Sequence, residues 1–341
     1  MKFALRAWLF IAVLSLTASA VAGGPGYHVI KSFKLGGEGG WDYLTLDSNS
    51  RLLYISRGTH VIVLNVDSGT VEGDIPDTPG VHGIALAPDL GRGFVSNGQE
   101  GTVTIFDLKS LKLIAKVKVG ENPDAILYDA STKRVFTFNG RSHDSSAIDA
   151  TNGTVLATIK LDGKPEFAVS DGKGMIFDNI EDKSELTAID AKTLQVKSTW
   201  PLAPCEGPSG LAIDRKNHRL FSGCHNELMT VVNADNGKVI TTLPIGKGVD
   251  ATRFDPGTDL AFASCGDGYL TVLKEESPDK FSAVENVSTQ EGARTLALDL
   301  KSHTIYLVTA KFGPPPAPTP ERPHPWHSIV PDTFTVLVVG K

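Results

Sequence analysis

Four carboxylates, one histidine and one arginine recur in this sequence at nearly constant spacing. Each is the first residue of a short apolar segment, and successive segments begin 40, 42, 42, 43, 41 and 44 residues apart. With one serine, the seven first residues are Asp42, His82, Asp124, Glu166, Ser209, Asp250 and Arg294. Turns with a purely structural role more often hold Gly, Pro, Asn or Ser at such positions. The set therefore predicts a polar site, provided that the fold brings these positions together.

These residue types favour the binding of a cation or of a polar small ligand. The metal-ligand candidates are Asp42, His82, Asp124, Glu166 and Asp250. Oxygen-rich ligation suits a hard cation such as Ca²⁺ or Mg²⁺, whereas His60, His82 or His225 would shift the preference towards Zn²⁺ or Cu²⁺. The second interpretation is a solvated acidic rim whose carboxylates accept backbone N–H bonds. No compact motif such as His-x-x-x-His decides between the two.

The elements that must position these residues are short strands in a repeat of about 42 residues. Each repeat contains four apolar or alternating segments, separated by turns rich in Gly, Asn and Asp. This pattern is typical of all-β proteins, and four strands in 40 to 45 residues form one blade of a propeller. A single blade cannot bury its own faces, so the blades must stack. The sequence predicts a seven-bladed β-propeller with four-stranded antiparallel blades that start near residues 42, 82, 124, 166, 209, 250 and 294.

The two ends of the chain are predicted to share one blade. The last repeat stops after its third strand, at residues 333–339, and residues 28–35 match the missing fourth strand. We expect the N-terminal strand to complete the last blade, which closes the ring and removes an open sheet edge. Residues 23–341 then form a single domain.

Propeller topology also predicts which loops share a face. The turns before the innermost strands and the loops between second and third strands lie on one side, which adds His60, Asn139, His143 and His225 as ligand-binding candidates. The proline-rich insertion at residues 313–327 belongs to the same side. It is either a lid with Trp326, His324 and His327 facing inward, a docking strip for a partner, or a stiff solvated loop. Trp41 is expected in the core between blades or in the pocket wall.

The repeats resemble the YVTN-type blades of the YncE-like β-propeller family over residues 27–341. The resemblance rests on residues 79–88 with 93–97, and on residues 122–125 with 135–139. It implies a seven-bladed periplasmic propeller, and it implies little about activity, because such proteins mostly lack an assigned reaction. DNA binding, sometimes attributed to the family, gains no support from the charge balance described below.

Two functional hypotheses follow. The first is an exported β-propeller that binds a small ligand or a protein partner at the polar channel mouth. The second is a metal-dependent hydrolase or lyase at the same face, by analogy with lactonase-like propellers. Crowded carboxylates would supply a general base, and Arg294 or a metal ion would stabilise an anion. No nucleophile motif supports a reaction, because Ser209 in segment 207–210 lacks the strand–turn–helix context and is expected to be a turn residue.

Residues 1–22 are predicted to be a cleavable signal peptide, which makes the protein periplasmic or secreted. Lys2 and Arg6 precede an apolar stretch at residues 8–16, and residues 20–22 form a small-x-small cleavage site before Gly23. An uncleaved anchor is the alternative. No later stretch of the sequence is apolar over a length that would span a bilayer.

The charge balance argues against a polyanion as the main partner. Without residues 1–22, 31 basic residues remain against 39 acidic ones, a formal net charge of −8. Nucleic-acid binding depends on a basic face. The expected partner is therefore a small molecule or a periplasmic protein, and the protein is expected to be a monomer.

Three cysteines in an exported chain allow one disulfide. Cys205 precedes the fifth blade, and Cys224 ends the second strand of that blade on the same face, which predicts a Cys205–Cys224 bond. Cys265 holds the position of Cys224 in the next blade, so Cys224–Cys265 is the alternative pairing.

Overall fold

The computed structural model describes residues 26–319 and 327–341. Within these ranges, 28 strands form seven four-stranded antiparallel sheets. The first strands of neighbouring sheets contact one another, so they line a central channel. The predicted seven-bladed propeller is confirmed. The predicted signal peptide lies outside the described residues, and in the part that the structure describes no helix is long and apolar enough to cross a membrane.

The first three blades follow one another in sequence after β1 (His28–Lys34). Blade 1 contains β2 to β5, which are Leu44–Asp47, Leu52–Arg57, His60–Asn65 and Val71–Ile75. Blade 2 contains β6 to β9, which are Val81–Ala87, Arg92–Asn97, Thr102–Asp107 and Leu113–Lys118. Blade 3 contains β10 to β13, which are Pro123–Asp129, Arg134–Asn139, Asp144–Asp149 and Val155–Lys160.

The remaining blades repeat this order. Blade 4 contains β14 to β17, which are Pro165–Ser170, Met175–Ile180, Glu185–Asp190 and Gln195–Pro201. Blade 5 contains β18 to β21, which are Pro208–Asp214, Arg219–Cys224, Leu228–Asn233 and Val239–Pro244. Blade 6 contains β22 to β25, which are Val249–Asp255, Leu260–Cys265, Tyr269–Ser277 and Lys280–Ser288. Blade 7 contains β26 to β28, which are Leu296–Asp299, Thr304–Thr309 and Thr335–Gly340, and two 3₁₀ turns lie at Pro88–Leu90 and Glu181–Lys183.

In each of the seven blades, the second strand carries an aromatic residue at its third position. These rings fill the space between blades. The seven residues are Tyr54, Phe94, Phe136, Phe177, Phe221, Phe262 and Tyr306, and each is at most 4% exposed. Large rings bury much area with few rotatable bonds. These buried rings anchor the second strand of each blade, to which the innermost strand is paired.

Strand β1 completes the last blade, as predicted. It pairs antiparallel with β28, with Phe33 opposite Val336, and the Phe33 side chain is buried in the core that blades 7 and 1 share. On the side opposite the channel mouth, Arg51 of blade 1 forms ion pairs with Asp67 and with Asp299 of blade 7. The ring is therefore closed by a shared strand, a shared core and an ion pair.

The predicted disulfide is present. Cys205 and Cys224 are bonded, and Cys265, the partner in the alternative pairing, is a buried free thiol. The bond ties the loop before blade 5 to the end of the second strand of that blade.

Candidate functional site

The predicted site residues lie where the innermost strands depart from regular pairing. In blades 2 to 6, the register between first and second strands shifts just after the first residue of the innermost strand. The residues in these irregular steps are His82, Asp124, Glu166, Ser209 and Asp250. A β-bulge re-aims a side chain that regular alternation would send elsewhere. This repeated irregularity accounts for polar side chains collecting at the channel mouth.

Blades 1 and 7 differ from this pattern. Their innermost strands begin at Leu44 and Leu296, two residues after the predicted starts at Asp42 and Arg294. In blade 1 the reason is a side-chain hydrogen bond, because the Ser56 hydroxyl oxygen accepts the backbone N–H of Asp42 at 2.9 Å in place of a ladder carbonyl. Asp42 is therefore fixed at the mouth by a hydroxyl rather than by sheet pairing.

Other serines of the second strands fix site residues of the neighbouring blade. The Ser96 hydroxyl donates to the backbone carbonyl of Asp124 at 2.6 Å, and the Ser264 hydroxyl donates to the carbonyl of Arg294. Close approach of the blades is needed here, since a Cβ at Gly83 would lie 3.1 Å from the Asp124 carbonyl oxygen. Adjacent site residues are thus held in register across blade boundaries.

Asp42, His82 and Asp124, from three successive blades, converge at the mouth. His82 Nδ1 lies 2.5 Å from Asp42 Oδ2 and 3.8 Å from Asp124 Oδ1. One potential ligand atom from each of the three residues lies within 4.8 Å of the others, and all three side chains are half-buried. We call these three residues the mouth cluster.

The electrostatics of the mouth cluster favour a cation between the carboxylates. Burial lowers the pKa of His82, but the hydrogen bond with Asp42 and the charge of Asp124 outweigh it and raise that pKa to about 9. Burial, opposed by His82 and reinforced by Asp42, raises the pKa of Asp124 to about 6. At neutral pH the His82 imidazolium therefore carries the positive charge that the two carboxylates require.

Glu166 extends the polar surface beyond the mouth cluster. Lys164 Nζ lies 2.6 Å from Glu166 Oε1 and also contacts Glu181, which in turn lies 3.6 Å from His225 Nδ1. Burial and the charge of Asp124, opposed by Lys164, raise the pKa of Glu166 to about 8. Lys164 thus connects Glu166 with the group that contains His225.

Asp250 and Arg294 line a neighbouring cavity, which has a volume of about 500 Å³. Burial, opposed by Arg294 and reinforced by Asp42, raises the pKa of Asp250 to about 7. Asp250 Oδ2 is buried and has no hydrogen-bond partner among the described residues. The Asp250 charge is the main reason that the pKa of Arg294 is raised. His225 also lines this cavity, so three of the predicted candidates, Asp250, Arg294 and His225, lie around it.

The described ends of the proline-rich insertion form one wall of the same cavity. Phe312 and His327 line it together with Arg294, and they also line a second cavity of about 290 Å³ beside Trp41. Trp41 packs against Phe334 as well, so it belongs to both the core and a pocket wall. The expected lid is therefore described only at its base. His324 and Trp326 lie outside the described residues.

Two predicted candidates, His60 and His143, contribute no ligand atom to the mouth cluster, and Ser209 occupies the turn position expected for it. His60 Nε2 faces Asp74 of its own blade at 3.6 Å, in a separate open cavity. His143 occupies a left-handed turn position with φ 52°. The Ser209 hydroxyl donates to the Asp250 backbone carbonyl at 3.3 Å, as a turn residue would.

Asn139 is buried inside its blade. Its amide donates to Asp144 at 2.7 Å and to Ser146 at 3.1 Å, and its carbonyl accepts from the Thr137 hydroxyl at 3.0 Å. These bonds join the second and third strands of blade 3, and they direct the side chain into the blade rather than to the mouth.

The sequence interpretation missed Tyr43 and Lys164. Tyr43 stacks on Phe167, with ring centroids 4.6 Å apart. Its pKa is raised well above the ordinary value by burial and then by the nearby charges of Asp124 and Asp42. The only signal for them in the sequence is their position. Tyr43 directly follows Asp42, and Lys164 precedes Glu166 by two residues.

No protein-family model matches this chain, and no curated protein matches it in sequence. Solved structures do match. A chain of Kuenenia stuttgartiensis hydrazine synthase has a TM-score of 0.67 at 16% identity, covering 79% of this chain and 92% of that one.

Two further structures give similar results. A chain of the mitotic checkpoint complex has a TM-score of 0.71 at 14% identity, covering 90% of this chain and 95% of its own length. The WD40 repeats of RRP9 have a TM-score of 0.74 at 8% identity, covering 90% and 96%. At such identities the likeness shows the fold alone, and together with the sheet topology it identifies this chain as a seven-bladed β-propeller.

Proposed function

We propose that the protein binds a small ligand at the channel mouth through a divalent cation held by Asp42, His82 and Asp124. The proposal rests on one observation, the convergence of three potential ligand atoms from three blades within 4.8 Å. The adjoining cavity of about 500 Å³ offers room for the ligand. Open coordination positions on the ion would face that ligand, as in metal sites that do not use protein ligands alone.

The donor set fits a first-row divalent ion such as Zn²⁺ or Mn²⁺. One imidazole nitrogen and two carboxylate oxygens suit these ions better than Ca²⁺, which prefers six or more oxygens. Loss of the Nδ1 proton from His82 would leave a lone pair between the two carboxylates. Metal binding must displace that proton, so affinity for the ion should rise with pH up to about 9, the pKa of His82.

Metal content tests this proposal. After removal of metals with a chelator and reloading with Zn²⁺ or Mn²⁺, mass spectrometry of the bound metal should give about one ion per chain. Asp124→Asn should abolish that stoichiometry. Asp162→Asn is the matched control, because Asp162 is exposed and lies in a loop of the next blade. An unloaded wild type, or equal loading of both variants, would refute the proposal.

A metal-dependent hydrolase or lyase is the second candidate function. The supporting observation is Asp250, whose pKa is raised to about 7 by burial and which lies next to the cationic Arg294. A carboxylate with a pKa near the working pH suits a general base. If the protein is an enzyme, Asp250→Asn should remove turnover of a lactone or ester panel while metal stoichiometry persists. If it only binds, wild type should show no turnover.

We also propose that the chain is a YncE-like, YVTN-repeat protein that acts in the periplasm. The blade segments at residues 79–88 and 122–125 support the first part, and the signal-like residues 1–22 support the second. Mass spectrometry of the mature N-terminus from a periplasmic fraction should find Gly23. An intact Met1 in the cytoplasmic fraction would contradict the proposed location.

A further inference from the structure

The innermost strands of blades 1 to 6 enclose another cavity, which lies inside the channel and differs from the two described above. Its volume is about 220 Å³. It lies deeper than the mouth cluster, because Arg253 follows Asp250 by three residues along β22, a distance of about 10 Å in a strand. Tyr43 and Phe167, stacked on each other, line the same cavity. This pair lies between the cavity and the mouth cluster, so the two sites are separate.

The cavity is lined by apolar residues together with two arginines, and its surface is mixed in polarity. Most of the wall consists of aliphatic side chains such as Ile84 and Leu211. The Thr45 hydroxyl is already engaged, since it donates to the Ile84 carbonyl at 2.6 Å. Arg253 lies inside the channel, and Arg215 lies at the exposed rim of the opening opposite the mouth.

Arg253 has few partners for a guanidinium in such a place. Of its five N–H donors, one forms a described hydrogen bond, from Nη1 to the adjacent Thr252 carbonyl at 2.8 Å. The group lies 5.7 Å from the centroid of the Phe167 ring. Among residues 26–319 and 327–341, no carboxylate forms an ion pair with it; Asp250 acts on it only from a longer range. Arg253 is one of the residues that line the cavity.

Arg215 also lacks a carboxylate partner among the described residues, although its side chain is exposed. Its Nε donates to the Ser170 carbonyl at 3.0 Å, and the described residues supply no carboxylate within ion-pair distance. Removing a cation from water costs several kcal/mol unless a counter-charge and hydrogen bonds offset the loss. Arg253, which is only partly exposed, would therefore gain most from an anion in the cavity, and Arg215 at the opening can donate further N–H bonds to the same anion.

We infer that this cavity binds one small tetrahedral oxoanion, of the class of inorganic phosphate or sulfate, through Arg253 and Arg215. Guanidinium groups match such oxygens with paired, charge-assisted hydrogen bonds. A water molecule takes up about 30 Å³ in the liquid, so the cavity has room for an oxoanion with a few waters. The site is independent of the cation proposed at the mouth, and neither proposal requires the other.

Calorimetric titration with inorganic phosphate, and separately with sulfate, tests the inference on the whole purified chain in a chloride buffer. Wild type should show saturable binding of one anion per chain. Arg253→Gln should weaken that binding at least tenfold, and Arg215→Gln should weaken it by a smaller factor. Arg141→Gln, a change of the same charge at an exposed turn, should leave it unchanged.

Three results would overturn the inference. One is the absence of saturable binding to wild type at millimolar phosphate or sulfate, which would mean that the cavity holds water only. Another is unchanged affinity in Arg253→Gln with a native circular dichroism spectrum. The third is equal thermal stabilisation of wild type, Arg141→Gln and Arg215→Gln by sulfate, which would show a general salt effect. If Arg253→Gln does not fold, Arg215→Gln and the wild-type stoichiometry decide.

Discussion

At the scale of single residues, His82 determines the charge state of the channel mouth. It lies between two carboxylates, and its raised pKa of about 9 depends mainly on the Asp42 contact once burial is overcome. The pKa of His82 in the folded protein is higher than its value of about 6.5 in the unfolded chain. The protonated ring therefore stabilises the fold fully at pH values below about 6.5. The contribution is lost as the pH rises through 9.

Asp42→Asn should therefore lower the pKa of His82 by at least one unit, because it removes the nearest anion and the charged hydrogen-bond acceptor. NMR titration of the His82 ring, assigned by its disappearance in His82→Gln, measures this directly. Asp162→Asn should leave the titration unchanged. A wild-type pKa near 6.5 would show that the ring does not lie between the two carboxylates.

The folded structure disfavours the ionised form of the Asp178 carboxyl group. Its side chain is buried, neither carboxylate oxygen has a hydrogen-bond partner in the described part of the chain, and burial raises its pKa well above the ordinary value. The folded state then retains a proton that the unfolded state releases above pH 4. The group therefore makes the free energy of unfolding fall by about 1.4 kcal/mol per pH unit between the two pKa values.

Asp178→Asn should flatten this pH dependence. Urea unfolding should show that the free energy of unfolding falls less between pH 5 and pH 8 in the variant than in wild type. This difference does not depend on any change in stability that the substitution causes equally at both pH values. Asp162→Asn should follow wild type. Parallel pH profiles for wild type and Asp178→Asn would mean that the Asp178 carboxyl is ionised in the folded protein.

At the scale of elements, strand β1 holds the ring closed. Phe33 is its buried anchor, and Lys34 next to it is exposed. Phe33→Ala should lower the free energy of unfolding by about 3 kcal/mol, the usual cost of a large cavity in a core. Lys34→Ala should change it by less than about 0.5 kcal/mol. Chemical denaturation measures both, and equal stability of the two variants would contradict closure by β1.

The strands and the closure could be predicted from the sequence, whereas the fine geometry of the site could not. Period-two alternation and Asp- or Asn-rich turns mark each strand locally, and the unmatched segments at the two ends of the chain indicate the shared blade. The β-bulges at His82 and Asp124 leave no such mark, because they depend on pairing with a second strand. Topology places Asn139 on the face of the mouth, whereas its side-chain hydrogen bonds are with residues of its own blade.

Residues in the channel were still harder to predict. Arg253 occupies a position in β22 that looks like one more alternating polar residue, and only the closed ring places it opposite Phe167. The same holds for Lys164, whose contact with Glu166 and Glu181 depends on the turn between two blades. Contacts that cross blade boundaries require the curvature of the whole ring, which no local pattern specifies.

At the scale of the whole molecule, the closed ring converts a linear repeat into a site. Asp42, His82 and Asp124 are about 40 residues apart in sequence, and three successive blades bring them within hydrogen-bonding or ion-pairing range of one another. The ring also separates the mouth cluster from Arg253 and Arg215, which line the cavity deeper in the channel. The two proposals therefore assign a cation to the channel mouth and an anion to the cavity deeper in the channel.

Anomalous diffraction from crystals grown with Mn²⁺ tests the central proposal most directly. We predict one strong manganese peak within about 2.6 Å of carboxylate oxygens of Asp42 and Asp124, with His82 as the third ligand. The peak should be absent in Asp124→Asn crystals and present in Asp162→Asn crystals. A fully occupied manganese site elsewhere on the chain, or an empty mouth at saturating Mn²⁺, would contradict the account.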